Sequence, residues 1–210
     1  MPSLRSLRRH SLPLIAFFGL AALPALAGGS ARTGSAAPDF TGTGSNGEKI
    51  HLADLKGKTI VLEWTNDGCP YVHKWYSSGA MQKLQRDAAA LGVVWLTIAS
   101  SAPGEQGYVD AAKANNDTAS RKASPAHVLL DPQGAIARLY GAETTPHIFV
   151  IKPDGALAYA GGADSIASTR ISDMDKAEPY AREAIEAVAA GKPVAHPLTR
   201  PYGCSVKYSS

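Results

Sequence analysis

The run Thr59-Ile60-Val61-Leu62-Glu63-Trp64 is apolar at nearly every position instead of at alternate ones. A strand with one wet face alternates, whereas a continuous run reads as a strand covered on both faces. That requirement restricts the chain to layered α/β folds with helices on both faces of a sheet. Val93 to Ala99, Ala126 to Leu130 and His147 to Ile151 supply further strands. Between the first two, Tyr71, Trp75, Met81, Leu84 and Ala88 keep helical spacing over Pro70 to Ala90, predicting one long or interrupted helix with its break at Ser77-Ser78-Gly79.

Turn chemistry orders the remaining segments. Ser45-Asn46-Gly47 predicts a hairpin joining Phe40-Thr41 to Lys49-Ile50-His51, and Leu52 to Leu55 forms a short turn closed by Gly57. Val109 to Asn116 and Ile136 to Tyr140 are expected helices, the second ended by Gly141. Pro153-Asp154-Gly155 turns His147 to Ile151 back into Ala156 to Ala160. Ala163 to Ala177 reads as a polar insertion and Tyr180 to Ala190 as a last helix, with Ala184, Ile185 and Val188 on one face. Prolines 193, 197 and 201 forbid regular helix in residues 192–210, an extended tail. The expected architecture is a mixed sheet flanked by helices.

Residues 1–27 have the make-up of a secretory signal: Arg5, Arg8 and Arg9, an apolar stretch from Leu12 to Leu23, and Ala25-Leu26-Ala27 as cleavage site. The apolar part is short for a membrane span, which needs about 20 residues. A retained anchor is the alternative. No Cys follows the cleavage site, which excludes lipid attachment there. The net charge of +3 resides in the three leader arginines. The mature chain is therefore neutral, and nothing in its charge recommends nucleic acid or an anionic membrane as a partner. Residues 28–36 are a small, polar leader, and the folded domain is expected over 37–191. The mature protein is expected in a periplasmic or extracellular compartment, where disulfides persist.

Cys69 and Cys204 are the only two cysteines. Pro70 suits the first helical position, so Cys69 is expected at the N-cap beside unpaired amides and the positive dipole end, a setting that stabilises thiolate. Cys204 is open to three uses: resolving thiol, structural staple, or intermolecular partner. Thr145-Pro146 leads a strand and is a candidate cis turn, with a simple turn as the alternative. His73 stands four residues after Cys69 and on a helix would share its face, so the pair is a candidate soft-metal site. Trp64, Trp75 and Tyr71 are expected as core or groove aromatics.

Together, Ala37-Pro38-Asp39-Phe40, the loop Trp64 to Pro70, Tyr140-Gly141 with Thr144-Thr145-Pro146, and Asp154-Gly155 resemble the thioredoxin fold. The resemblance is to redoxins of the alkyl hydroperoxide reductase and thiol-specific antioxidant type, which are three-layer sandwiches. The ending Pro201-Tyr202-Gly203-Cys204-Ser205-Val206-Lys207 resembles the tail of a peroxiredoxin-like subgroup. The resemblance implies a thiol-dependent oxidoreductase with Cys69 as nucleophile and no cofactor. Its substrate would be a peroxide or a disulfide, and a separate thiol reductant would return it to the reduced state. It implies that Pro146 turns the Thr145 backbone toward Cys69, and that Glu63, six residues before Cys69, is a buried acid moving protons. From the strand pattern alone, Glu63 could instead face solvent. Two positions depart from the family: Val72 stands where thioredoxins carry a second Cys, and Asn66 stands where peroxiredoxins carry Thr. A groove beside Pro146 lined by Tyr71 and Trp64 would suit a thiol reductase of the cytochrome c maturation type, and Cys69 with His73 a copper carrier.

Overall fold

The computed structural model describes residues 31–209, so the expected signal segment lies outside the described residues. The strands are β1 (Thr41–Gly44), β2 (Lys49–His51), β3 (Ile60–Trp64), β4 (Val94–Ala99), β5 (His127–Leu130), β6 (Thr144–Thr145), β7 (His147–Ile151), β8 (Leu157–Gly161) and β9 (Cys204–Ser205). The helices are α1 (Pro70–Ser77), α2 (Ala80–Ala90), α3 (Ala111–Ser120), α4 (Ala135–Tyr140) and α5 (Tyr180–Ala189).

Seven strands form one mixed sheet in the order β2-β1-β5-β4-β3-β7-β8, with β3, β4 and β5 parallel and the outer pairings antiparallel. β3 is an interior strand and all five of its residues are buried, as its unbroken apolar run requires. Val61 packs among Trp75, Met81, Leu84 and Ile185 from α1, α2 and α5, while Ile60, Leu62 and Trp64 pack among Leu129, Ile136, Tyr140 and Phe149 on the other face. The period-two alternation of side chains thus divides one strand between two cores. Burying each such side chain stabilises the sheet by roughly 1.5–3 kcal/mol. Trp64 belongs wholly to the second core, its indole N–H donating to Ser100 Oγ at 3.1 Å, so it lines no groove beside Pro146.

The helix after Cys69 is interrupted where expected. Gly79 has φ +77°, a left-handed conformation that only glycine adopts without strain, and α2 starts on the following residue. α3 begins later than hydrophobic spacing predicts, at Ala111, because the Asp110 side chain caps it by accepting the Lys113 N–H at 2.8 Å. Two segments read as loose are tied down. The Gly34 N–H donates to Leu157 O and the Ala37 N–H to Gly155 O, which attaches part of the 28–36 leader to the closing hairpin. Within the polar insertion, Ile171–Lys176 forms a short 3-10 helix. The tail has no helix, as its prolines demand, and it runs beside β8 through Ala160 and Leu198 before pairing as β9 with β6.

Candidate redox site

Cys69 is the N-cap of α1, with extended backbone (φ −89°, ψ 120°) and Pro70 in the first turn. Asn66 builds the preceding loop: its carbonyl accepts the Cys69 N–H at 3.1 Å and its side-chain oxygen accepts the Gly68 N–H at 2.9 Å. Asn66 also donates to Gln106 O at 3.2 Å. Its amide therefore shapes the nucleophile loop.

The Thr145–Pro146 bond is cis, and the Thr145 carbonyl lies 3.1 Å from Cys69 Sγ. Antiparallel pairing then sets Thr145 opposite Cys204 and Thr144 opposite Ser205. The chain therefore brings its two cysteines, both free thiols, from distant positions in the sequence to one buried cluster. Gly203 makes the approach possible: its φ is +141°, and its Cα faces the Thr145 carbonyl so closely that a Cβ would overlap it.

Opposing effects act on the Cys69 thiol. Burial raises its pKa, but donation from the Cys204 thiol, from the Thr145 hydroxyl and from the Val72 and Cys204 backbone N–H groups stabilises the thiolate, and the net shift is downward. Cys204 is pushed up to about 11, first by burial and then by its hydrogen bond to Cys69. The two thiols are thereby differentiated, Cys69 the more acidic and Cys204 the less.

One expectation of the N-cap reading fails. A nucleophile at a loop-helix junction should be reachable, yet Cys69 is 0% exposed, and Cys204 of the returning tail packs against the buried cluster that contains it. The soft-metal pair fails as well. Cys69 is a cap with extended backbone and not a helical residue, so the four-residue same-face rule does not apply. Its sulfur turns toward β6 while His73 is exposed in a shallow groove with Gly68, Pro70, Ser77 and Ile171. Among the described residues, no group of three or more His, Cys, Asp or Glu could hold a metal ion.

Glu63 is fully buried, which removes the solvent-facing alternative. Tyr76 donates to it at 2.8 Å, Trp95 at 2.9 Å, Thr97 at 3.1 Å and Gln85 at 3.3 Å. Loss of hydration raises its pKa despite these donors. Its hydrogen bonds run to helix and sheet side chains, not to Cys69.

A buried cluster without any local sequence mark adjoins the thiols. Lys74 Nζ lies 3.1 Å from Asp164 Oδ2 and 3.1 Å from the Tyr202 hydroxyl, which itself donates to Asp164 Oδ1. The Lys74 and Asp164 side chains are 0% and 2% exposed. The ring of Tyr202 packs edge-on against Tyr71 at 5.7 Å. Lys74 sits on a helix face of aromatics, and its partners lie 90 and 128 positions away, beyond the reach of spacing arguments.

Comparison with known proteins agrees with this fold. A hypothetical protein from Sinorhizobium meliloti 1021 superposes with a TM-score of 0.71 at 22% identity, covering 87% of this chain and 97% of its own. An uncharacterized conserved protein from Geobacillus kaustophilus does so with a TM-score of 0.71 at 21% identity, over 85% and 93% of the two chains. A chain assigned as the thiol:disulfide interchange protein DsbE of Chlorobium tepidum matches at 25% identity and TM-score 0.50, over 62% and 85%. No curated protein matches the sequence. The AhpC/TSA family model matches residues 33–160, the segment that carries the nucleophile loop, the cis-proline loop and the closing hairpin. The chain belongs to the AhpC/TSA family, an oxidoreductase on a thioredoxin-like fold.

Proposed function

We propose that this protein is an exported thiol-dependent oxidoreductase in which Cys69 attacks the oxidant and Cys204 resolves the product. With a peroxide, the Cys69 thiolate bonds to one oxygen, the O–O bond breaks, and the other oxygen leaves as alcohol or water after taking a proton. Cys204 then attacks the sulfenic sulfur, forming the S–S bond and releasing water. Two thiols are oxidised by two electrons as the peroxide is reduced. With a disulfide substrate, a mixed disulfide replaces the sulfenic acid and Cys204 releases the second thiol. A separate thiol reductant reopens the Cys69–Cys204 bridge, and the chemistry calls for no cofactor.

The observation that supports this reading is the register of Thr145, whose carbonyl lies 3.1 Å from Cys69 Sγ, opposite Cys204, with the Cys69 pKa shifted down and the Cys204 pKa up. Export rests on the leader composition, and among the described residues no helix is long and apolar enough to cross a membrane. Replacing Cys69 by Ser should abolish turnover, and Cys204→Ser should leave a trapped sulfenic acid or mixed disulfide. Turnover surviving the first substitution would end the proposal. Likeness to the Chlorobium protein supports a second reading, a reductase for protein disulfides. It requires the tail to leave Cys69, and a trapped complex between Cys204→Ser protein and a disulfide-bonded protein would favour it.

A further inference from the structure

The Lys74–Asp164 ion pair ties the C-terminal tail to the body of the domain through Tyr202. It joins α1, the segment after β8 and the C-terminal tail at one buried point, five residues after Cys69 and two before Cys204. A buried ammonium is held only when its partners are fixed, because a lone charge loses far more hydration than one contact returns. Here Lys74 faces the Asp164 carboxylate, the Tyr202 hydroxyl, and the rings of Tyr202 at 5.2 Å and Trp75 at 5.9 Å. The Trp75 indole N–H is buried without a hydrogen-bond partner. Only one member of the cluster, Tyr202, belongs to the tail. If the tail leaves, Lys74 and Asp164 lose their bridging hydroxyl and the aromatic lid above them.

We propose that Lys74, Asp164 and Tyr202 form a latch that docks the tail and holds Cys204 on Cys69. In the docked state the resolving thiol is preset and Cys69 accepts only oxidants small enough to pass beneath the tail, peroxides or small-molecule disulfides. The three are positioning residues acting through Cys204, and the inference rests on Cys204 being the resolving thiol.

Tyr202→Phe tests it. The substitution keeps the ring packed on Tyr71 and removes only the hydroxyl that bridges Lys74 and Asp164. The reduction potential of the Cys69–Cys204 pair, set by equilibration with glutathione, should rise by about 30 mV, equivalent to a tenfold weaker internal disulfide. Alkylation of reduced Cys69 by a polymer-linked maleimide, read in a Cys204→Ser background, should accelerate about tenfold, far more than alkylation by iodoacetamide. Asp164→Asn should move both readouts the same way, and a change in fold stability alone would move neither in the folded protein. Unchanged potential and unchanged access in both variants would overturn the latch while leaving the thiol chemistry intact. Failure of the wild type to form the internal disulfide would overturn the underlying reading first.

Discussion

Gly203→Ala isolates the geometry of the resolving step with one added methyl group. A Cβ at this position would stand 2.8 Å from the Thr145 carbonyl carbon and closer still to its oxygen, whereas ordinary contact begins at 3.4 Å. Both clashing atoms are backbone of the cis-proline loop, which is held by β7, so relief falls on the tail. The φ of +141° adds strain for any L side chain. Retreat of the tail by about 1 Å misplaces Cys204 by a distance that can cost about a hundredfold in an intramolecular reaction. The attack of Cys69 on the oxidant makes no use of Gly203 and should be slowed little. The assay is one equivalent of hydrogen peroxide added to reduced protein, followed by acid quenching at intervals and mass measurement. Wild type should pass to the disulfide without a visible intermediate, and Gly203→Ala should accumulate the species heavier by one oxygen before closing about 10- to 100-fold more slowly. Closure within twofold of the wild-type rate would refute the argument that backbone contact at Thr145 registers Cys204.

Other expectations follow from the same contacts. Cys204→Ala removes a donor to the Cys69 thiolate and should raise its pKa, whereas Cys204→Ser keeps an O–H there and should hold it closer to wild type; iodoacetamide rates across pH read both, and identical profiles would count against the pairing. Burial drives His147 down to about 3, with its Nδ1 accepting the Glu143 N–H at 3.3 Å. As pH falls below the ordinary histidine value the unfolded chain takes up a proton that the folded one refuses, so stability should drop by up to about 1.4 kcal/mol per pH unit between about 6.5 and 3. Urea midpoints measure that slope, and an equal slope in His147→Gln would contradict it. Glu63 has the opposite sign: its raised pKa gives stability that is present when it is protonated and lost as pH rises through the folded value. Glu63→Gln, neutral throughout, should therefore be more stable than wild type at pH 8 and converge with it as pH falls below the ordinary glutamate value, and a less stable variant at pH 8 would show that the donors outweigh burial.

The parts of this molecule written in local pattern were legible before any coordinates. The unbroken apolar run of β3, the proline after Cys69, the glycine that breaks the helix at position 79 and the Asp154-Gly155 turn each act within a few residues, and each is found where the pattern puts it. What escaped depends on the return of the tail. Three prolines show that residues 192–210 are not helical but say nothing about which strand they meet. Consequently the burial of Cys69 and the proximity of Cys204 to it were not derivable. Lys74 illustrates the same limit, since a lysine among aromatics on an amphipathic helix reads as a snorkelling surface residue until Asp164 and Tyr202 close over it. Between core and groove for Trp64 the sequence left the choice open for a related reason: a strand apolar on both faces does not reveal which face an individual ring takes.

Peptide mapping of wild-type protein after one equivalent of peroxide tests most directly whether the two sulfurs act as a redox pair. The account predicts a mass lower by two hydrogens and a single cross-linked fragment joining the peptides of Cys69 and Cys204, which reduction separates. Peroxide consumption that leaves both thiols free, or that links Cys204 only to another molecule, would contradict it.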